Sequence, residues 1–200
     1  MNETSGSGVN PFATRFIKPG ALSFLFPPGE SATLLVERLR GFDWQGEIVA
    51  PHGSGKSTLL AELEPHLLAA NRTIVRVTLH NGEAKLPAIL DSWRTWNDHT
   101  LIVVDGFEQL SWWSRTKLAW RCHQQGAGRL VTSHATTGLP GLLRLKTDMD
   151  LAERVVRKLG VTEEVLSRET IAKTLAACEG NLRETLFQLY DWYEQTTRQR

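Results

Sequence analysis

From Gly46 onward, short apolar runs alternate with helical patterns, and this alternation restricts the fold more than any other feature of the chain. The runs at 47–50, 73–79, 101–104, 130–132 and 142–145 read as strands. Between them, 57–70, 86–96, 108–124 and 148–159 carry the spacing of helices, with Pro65 expected to bend the first. Strands that alternate with helices call for a parallel sheet covered on both faces, an α/β fold. After Gly160 the strand signals stop. Residues 161–195 keep only helical spacing, with Leu182, Leu186, Leu189 and Tyr193 on one side. The expected organisation is an N-terminal tail over 1–24, a core over 25–160 and a small C-terminal helical lid over 161–200. Ser31 is placed to cap a first core helix that ends at Gly41.

Two hundred residues, 41% of them hydrophobic and 22% charged, suit one domain with a small appendage and a real core. Apolar runs such as 101–104 fall far short of the ~20 residues of a membrane helix, so no membrane is expected as a partner. The first ten residues lack the basic start and apolar stretch of a secretory signal. Cys122 and Cys178 are far apart and form no CxxC, which argues against a disulfide framework or a zinc site. A cytoplasmic protein is expected. With 23 basic and 22 acidic residues, the overall charge argues against nucleic acid as a partner.

Ala50-Pro51-His52-Gly53-Ser54-Gly55-Lys56-Ser57-Thr58 follows an expected strand and opens an expected helix, the setting of a phosphate-binding loop. Glycines let the backbone wrap around phosphates with its N–H groups inward, and the helix N-terminus adds positive potential. Lys56 is placed to reach the β- and γ-phosphates and Ser57 to offer its hydroxyl to Mg²⁺, while Pro51, His52, Gly53, Ser54, Gly55 and Thr58 complete the cradle. The alternative is a strand–helix turn with an ordinary surface lysine, and the flanking elements weigh against it.

A magnesium nucleotide also needs an acid at the carboxyl end of a neighbouring strand. The run 101–104 ends in Asp105, the candidate to hold Mg²⁺ through its water shell; the competing role is an N-cap. Glu108, three residues on, is the candidate to orient or deprotonate the attacking water. It could instead sit in a first helical turn, where the dipole favours acids.

The loop at 50–58 and the strand ending at Asp105 resemble the Walker A and Walker B motifs of P-loop NTPases. Leu130-Val131-Thr132-Ser133-His134 is similar to the sensor 1 position of AAA+ ATPases, with Ser133 as the polar contact to the γ-phosphate or the water. Gly180-Asn181-Leu182-Arg183-Glu184 resembles their sensor 2 motif, with Arg183 as its arginine. The resemblance spans roughly 25–195. It implies a three-layer αβα P-loop core, Mg²⁺ with ATP as cofactor and ligand, and slow hydrolysis through Lys56, Glu108, Ser133 and Arg183. It also implies a protein partner or a homo-oligomer. Gly106 stands where AAA+ Walker B strands place Glu, so Asp105-Gly106-Phe107-Glu108 looks closer to signal-transducing relatives such as the NACHT group. Residues 134–141 contain no arginine, leaving the usual place of a trans-acting finger empty. The competing function is a nucleotide-gated interaction module with little turnover; a small-molecule kinase fits the late lid motif less well. No guanine-selective NKxD is present. His134 matches the switch histidine of ABC ATPases, but without LSGGQ the match reads as coincidence.

Arg183 has support apart from the resemblance. Asn181 and Glu184 read as a capping box, which places Arg183 in a first helical turn. A cation there costs roughly 0.3–1 kcal/mol unless an anion is bound. Surface pairing with Glu179 or Glu184 is the competing role. Between Gln109 and Thr147 every charged side chain is basic, and Trp112, Trp113 and Trp120 lie among them. The tryptophans are expected to pack between helix and sheet, with the charges balancing acids elsewhere. His80, His99 and His123 lack neighbours at metal-ligand spacing, and no GxSxG elbow occurs.

Overall fold

The computed structural model describes residues 10–18 and 21–197. Five strands, β1 (Gln45–Val49), β2 (Thr73–Thr78), β3 (Thr100–Asp105), β4 (Gly128–Ser133) and β5 (Gly141–Arg144), form one sheet in the order β2-β3-β4-β1-β5. Every pairing is parallel. The fold is α/β, as the alternation predicts. β3, between two neighbours, is buried along its whole length, which explains its unbroken apolar run.

Helices stand around the sheet, and their ends follow local chemistry. Ser31 accepts the N–H of Leu34 and caps α2 (Ala32–Gly41). α3 (Lys56–Ala69) runs on through Pro65 and buries Leu59, Leu60, Leu63 and Leu67. Two expectations change. The segment 86–96 is a 3₁₀-helix, Ala88–Thr95, rather than an α-helix. Leu90, Trp93 and Trp96 recur every three residues, the period of a 3₁₀ turn, and all three join the core. The expected helix at 108–124 is two elements: a 3₁₀ turn, Phe107–Gln109, and α4 (Trp112–Gln125). Ser111 breaks them apart by capping α4 at Ser114 N–H, and left-handed Gly126 (φ 64°) ends that helix.

The chain divides into two compact units. The sheet unit holds residues 26–52 and 59–146. The helical unit holds 53–58 and the described parts of 1–25 and 147–200. In the helical unit α5 (Met149–Lys158), α6 (Arg168–Ala177) and α7 (Leu182–Thr197) surround a core of Val155, Val156, Ile171, Leu186 and Leu189. The helices thus begin earlier than the boundary expected at 160, because Val155 and Val156 bury against the later helices. Residues 10–18 and 21–24, read from the sequence as part of a tail, belong here too, through α1 (Thr14–Ile17) and fully buried Phe12. Asn10 Nδ2 donates to Tyr190 O and Glu194 Oε1, each at 3.0 Å. The remainder of the expected tail, 1–9 and 19–20, lies outside the described residues. Among the described residues no helix is long and apolar enough to cross a membrane.

Candidate functional site

In the sheet unit the carboxyl ends of β1 and β4 lie side by side, with Val49 paired to Ser133. Their connections leave in opposite directions: β1 leads to β2 at one edge, β4 to β5 at the other. Open α/β sheets bind ligands in the crevice at such a switch point. A groove of about 410 Å³ opens there, lined by Val49, Ala50, Pro51, His134, Arg144 and Lys146, among others.

The loop leaving β1 reaches α3 at Lys56, so Lys56, Ser57 and Thr58 form the first turn of that helix, where backbone N–H groups lack intrahelical acceptors. Gly53 (φ +68°) and Gly55 (φ +90°) both adopt the left-handed conformation. Ser54 is buried. Within the helical unit a Cβ on Gly53 would lie 1.7 Å from Asn181 Oδ1. That same oxygen caps α7 by accepting Glu184 N–H at 3.2 Å. Gly53→Ala is therefore expected to displace the cap and strain the backbone, a loss of about 2–3 kcal/mol. Gly at an N-cap costs only a few tenths relative to Asn, so adding Asn181→Gly should restore part of the melting temperature. A Gly53→Ala protein that melts with the wild type would disprove this packing.

Asp105 ends β3, 6% exposed, and its Oδ1 accepts the Thr132 hydroxyl at 2.6 Å. Thr132 Oγ1 also accepts Gly106 N–H at 3.1 Å. Both residues lie one step beyond the paired Val104 and Val131, so the sheet register brings them together. Ser133, expected as the sensor, instead donates its hydroxyl to the Ala135 carbonyl and is 1% exposed. Thr132→Val should cost about 1–3 kcal/mol by removing both hydrogen bonds of a buried hydroxyl, lowering Tm by roughly 2–12 °C. Thr132→Ser should retain most of that stability. Equal melting of the Val variant and wild type would remove the bond from the account.

Gly106 (φ 88°) turns the chain just after Asp105. A Cβ there would lie 2.8 Å from Leu79 O, so no larger residue fits without a backbone shift. The turn carries Glu108 into the 3₁₀ segment. Arg115 fixes that segment by donating from Nε to Leu110 O and from Nη2 to Glu108 O, both at 2.8 Å. The Glu108 carboxylate meets His134, Oε1 to Nε2 at 2.8 Å. His134 Nδ1 lies 3.1 Å from Ala50 O, and its ring stacks on His52 with centroids 3.6 Å apart.

No protein-family model matches the chain, and no curated protein matches it. Site chemistry therefore rests on the residues themselves. In the helical unit Arg183 lies in the first turn of α7, 5.6 Å from the Phe187 ring centroid, with no ion pair to Glu179 or Glu184 among the described residues.

His134 and Thr132 are the residues that sequence reasoning passed over. The tryptophans correct a second expectation. Trp112, Trp113 and Trp120 are 66%, 75% and 51% exposed rather than packed between helix and sheet. The inward face of α4 is taken by Leu118, Cys122 and Arg121. Arg121 tolerates burial because it donates to Leu90 O at 2.9 Å and to Asp91 at 3.2 Å.

Proposed function

We propose that the chain binds Mg²⁺-ATP at residues 50–58 and hydrolyses it slowly to ADP and phosphate, in the manner of an AAA+-like P-loop ATPase. One observation carries most of the reading. The glycine-rich, lysine-bearing loop leaves β1 at the switch point of a parallel sheet and opens a helix at Lys56. In this reading Lys56 binds the terminal phosphates, and the backbone N–H groups of 53–58 receive the remaining phosphate charge. Glu108 accepts a proton from the attacking water.

The donor set suits a hard cation: the Ser57 hydroxyl, and the Asp105 carboxylate acting through water. Among the described residues no cluster of three or more His, Cys, Asp or Glu side chains could cage a metal. Magnesium on a nucleotide needs no such cage, because phosphates and water supply most of its ligands. It would supply charge neutralisation at the phosphates. Thr132, which donates to Asp105 Oδ1, would keep that carboxylate in place for the ion.

A cytoplasmic setting is supported by two unpaired thiols, buried Cys122 and half-buried Cys178. Burial pushes Cys122 up to about 11, so it stays an inert thiol at neutral pH.

The second reading, a nucleotide-gated module that turns over little and acts through a protein partner, is favoured by the ion pair between Glu108 and His134. A carboxylate oxygen already held by a partner is less available to the attacking water. Calorimetry with Mg²⁺-ATP, followed by phosphate release from the same samples, separates the two: binding with turnover supports the ATPase, binding alone the module. Absence of binding would remove both. Arg183→Ala should lower the preference for ATP over ADP, because an arginine in the first turn of α7 is stabilised most by the more highly charged ligand. An unchanged affinity ratio would leave Arg183 as a surface residue on Phe187.

A further inference from the structure

We propose that His134 is the positioning residue of Glu108, tying that carboxylate to the backbone at the start of the phosphate loop. The inference rests on the hydrolytic reading above and adds a residue to it. Both imidazole nitrogens face acceptors: Nε2 lies 2.8 Å from Glu108 Oε1 and Nδ1 lies 3.1 Å from Ala50 O. A carbonyl can only accept, so Nδ1 carries hydrogen. The proton between Nε2 and Oε1 is then shared, as imidazolium with carboxylate or as neutral ring with carboxylic acid. In either form one carboxylate oxygen is committed to His134. The other, Oε2, is buried and has no hydrogen-bond partner. A buried acceptor left open is costly, and it suits the role of receiving a hydrogen from water.

The rest of the turn supports the same division of labour. Arg115 fixes the Glu108 backbone through its carbonyl, and Gly106 fixes the direction of the turn. His134 fixes the side chain. Ala50 and His134 each follow the paired Val49 and Ser133, so the clamp is set by the junction of β1 and β4. His52, inside the loop, stacks on the same ring at 3.6 Å between centroids. The ring is therefore held from two sides, by the Ala50 carbonyl and the His52 face, while it holds the carboxylate.

The test is a double-mutant cycle on turnover of Mg²⁺-ATP, with Kd measured on the same proteins and folding checked by thermal melting. His134→Ala should lower kcat roughly 10- to 100-fold, the cost of a misplaced catalytic group, while nucleotide Kd stays within about two-fold. His134→Gln keeps a donor for Glu108 and should recover part of kcat. In a Glu108→Gln background, His134→Ala should add less than about a two-fold loss, since its effect runs through the carboxylate already removed. Equal losses in both backgrounds, or a His134→Ala defect confined to Kd, would overturn this role while leaving the ATPase reading intact. A wild type that binds nucleotide but releases no phosphate overturns the hydrolytic reading and this role with it.

Discussion

Lys56→Ala is expected to weaken Mg²⁺-nucleotide binding by roughly 30- to 1,000-fold, corresponding to about 2–4 kcal/mol for the loss of a charge-assisted phosphate contact. Lys56 opens α3, where the helix dipole already makes the local potential positive and favours a bound anion. Removing Lys56 should eliminate the response to nucleotide. In the wild type, nucleotide at 100 times its Kd should add about 2.7 kcal/mol to stability, or roughly 5–11 °C in Tm. Lys56→Ala at the same concentration should show almost none of that shift. Wild-type affinity in the variant, measured by calorimetry, would take the phosphate site away from residues 50–58.

The parts of the fold that were legible in the sequence are those set by local patterns. Strand β3 is buried throughout, so four consecutive apolar residues from Leu101 show its nature without alternation. Ser31 caps α2 through a bond three residues long, as sequence spacing anticipates, whereas Ser111, inside one expected helix, divides it. The pairing of Asp105 with Thr132 rather than Ser133 depends instead on register between strands that are distant in sequence. A one-residue shift would have presented Ser133, and nothing local distinguishes the two hydroxyls. His134 was dismissed for want of a companion motif, yet its role is set by the turn at Gly106 that carries Glu108 towards it. α4 failed differently. It offered tryptophans and a Leu118-Arg121-Cys122 face, and hydrophobicity alone favours burying the tryptophans. The Leu90 carbonyl and Asp91 accept from the two terminal nitrogens of Arg121, which lets that guanidinium take the inward face.

Glu108→Gln separates an enzyme from a switch. The amide keeps the shape and can still accept from His134, but it lacks the basic oxygen. Loss of a general base typically costs about 10²- to 10⁴-fold, so turnover should fall by that factor while nucleotide affinity stays nearly unchanged. The wild-type rate should itself be slow, below the ~1 s⁻¹ floor of typical enzymes, for a reason visible in the turn. Gly106 has to follow Asp105, because a side chain there would collide with Leu79 O, and the carboxylate therefore comes three residues later instead of next along the strand. It is then held by His134 at 2.8 Å, which leaves one carboxylate oxygen fewer for the attacking water. Arg115 and His134 offset this by holding it in place. A wild type whose turnover survives Glu108→Gln unchanged would shift the water-positioning role to another group, with the neighbouring Gln109 and the β4 residue Ser133 next to be tested. A thousand-fold loss with unchanged Kd would fix Glu108 as the base, and the slow wild-type rate would then measure what the histidine contact costs in free carboxylate oxygen against what it supplies in placement.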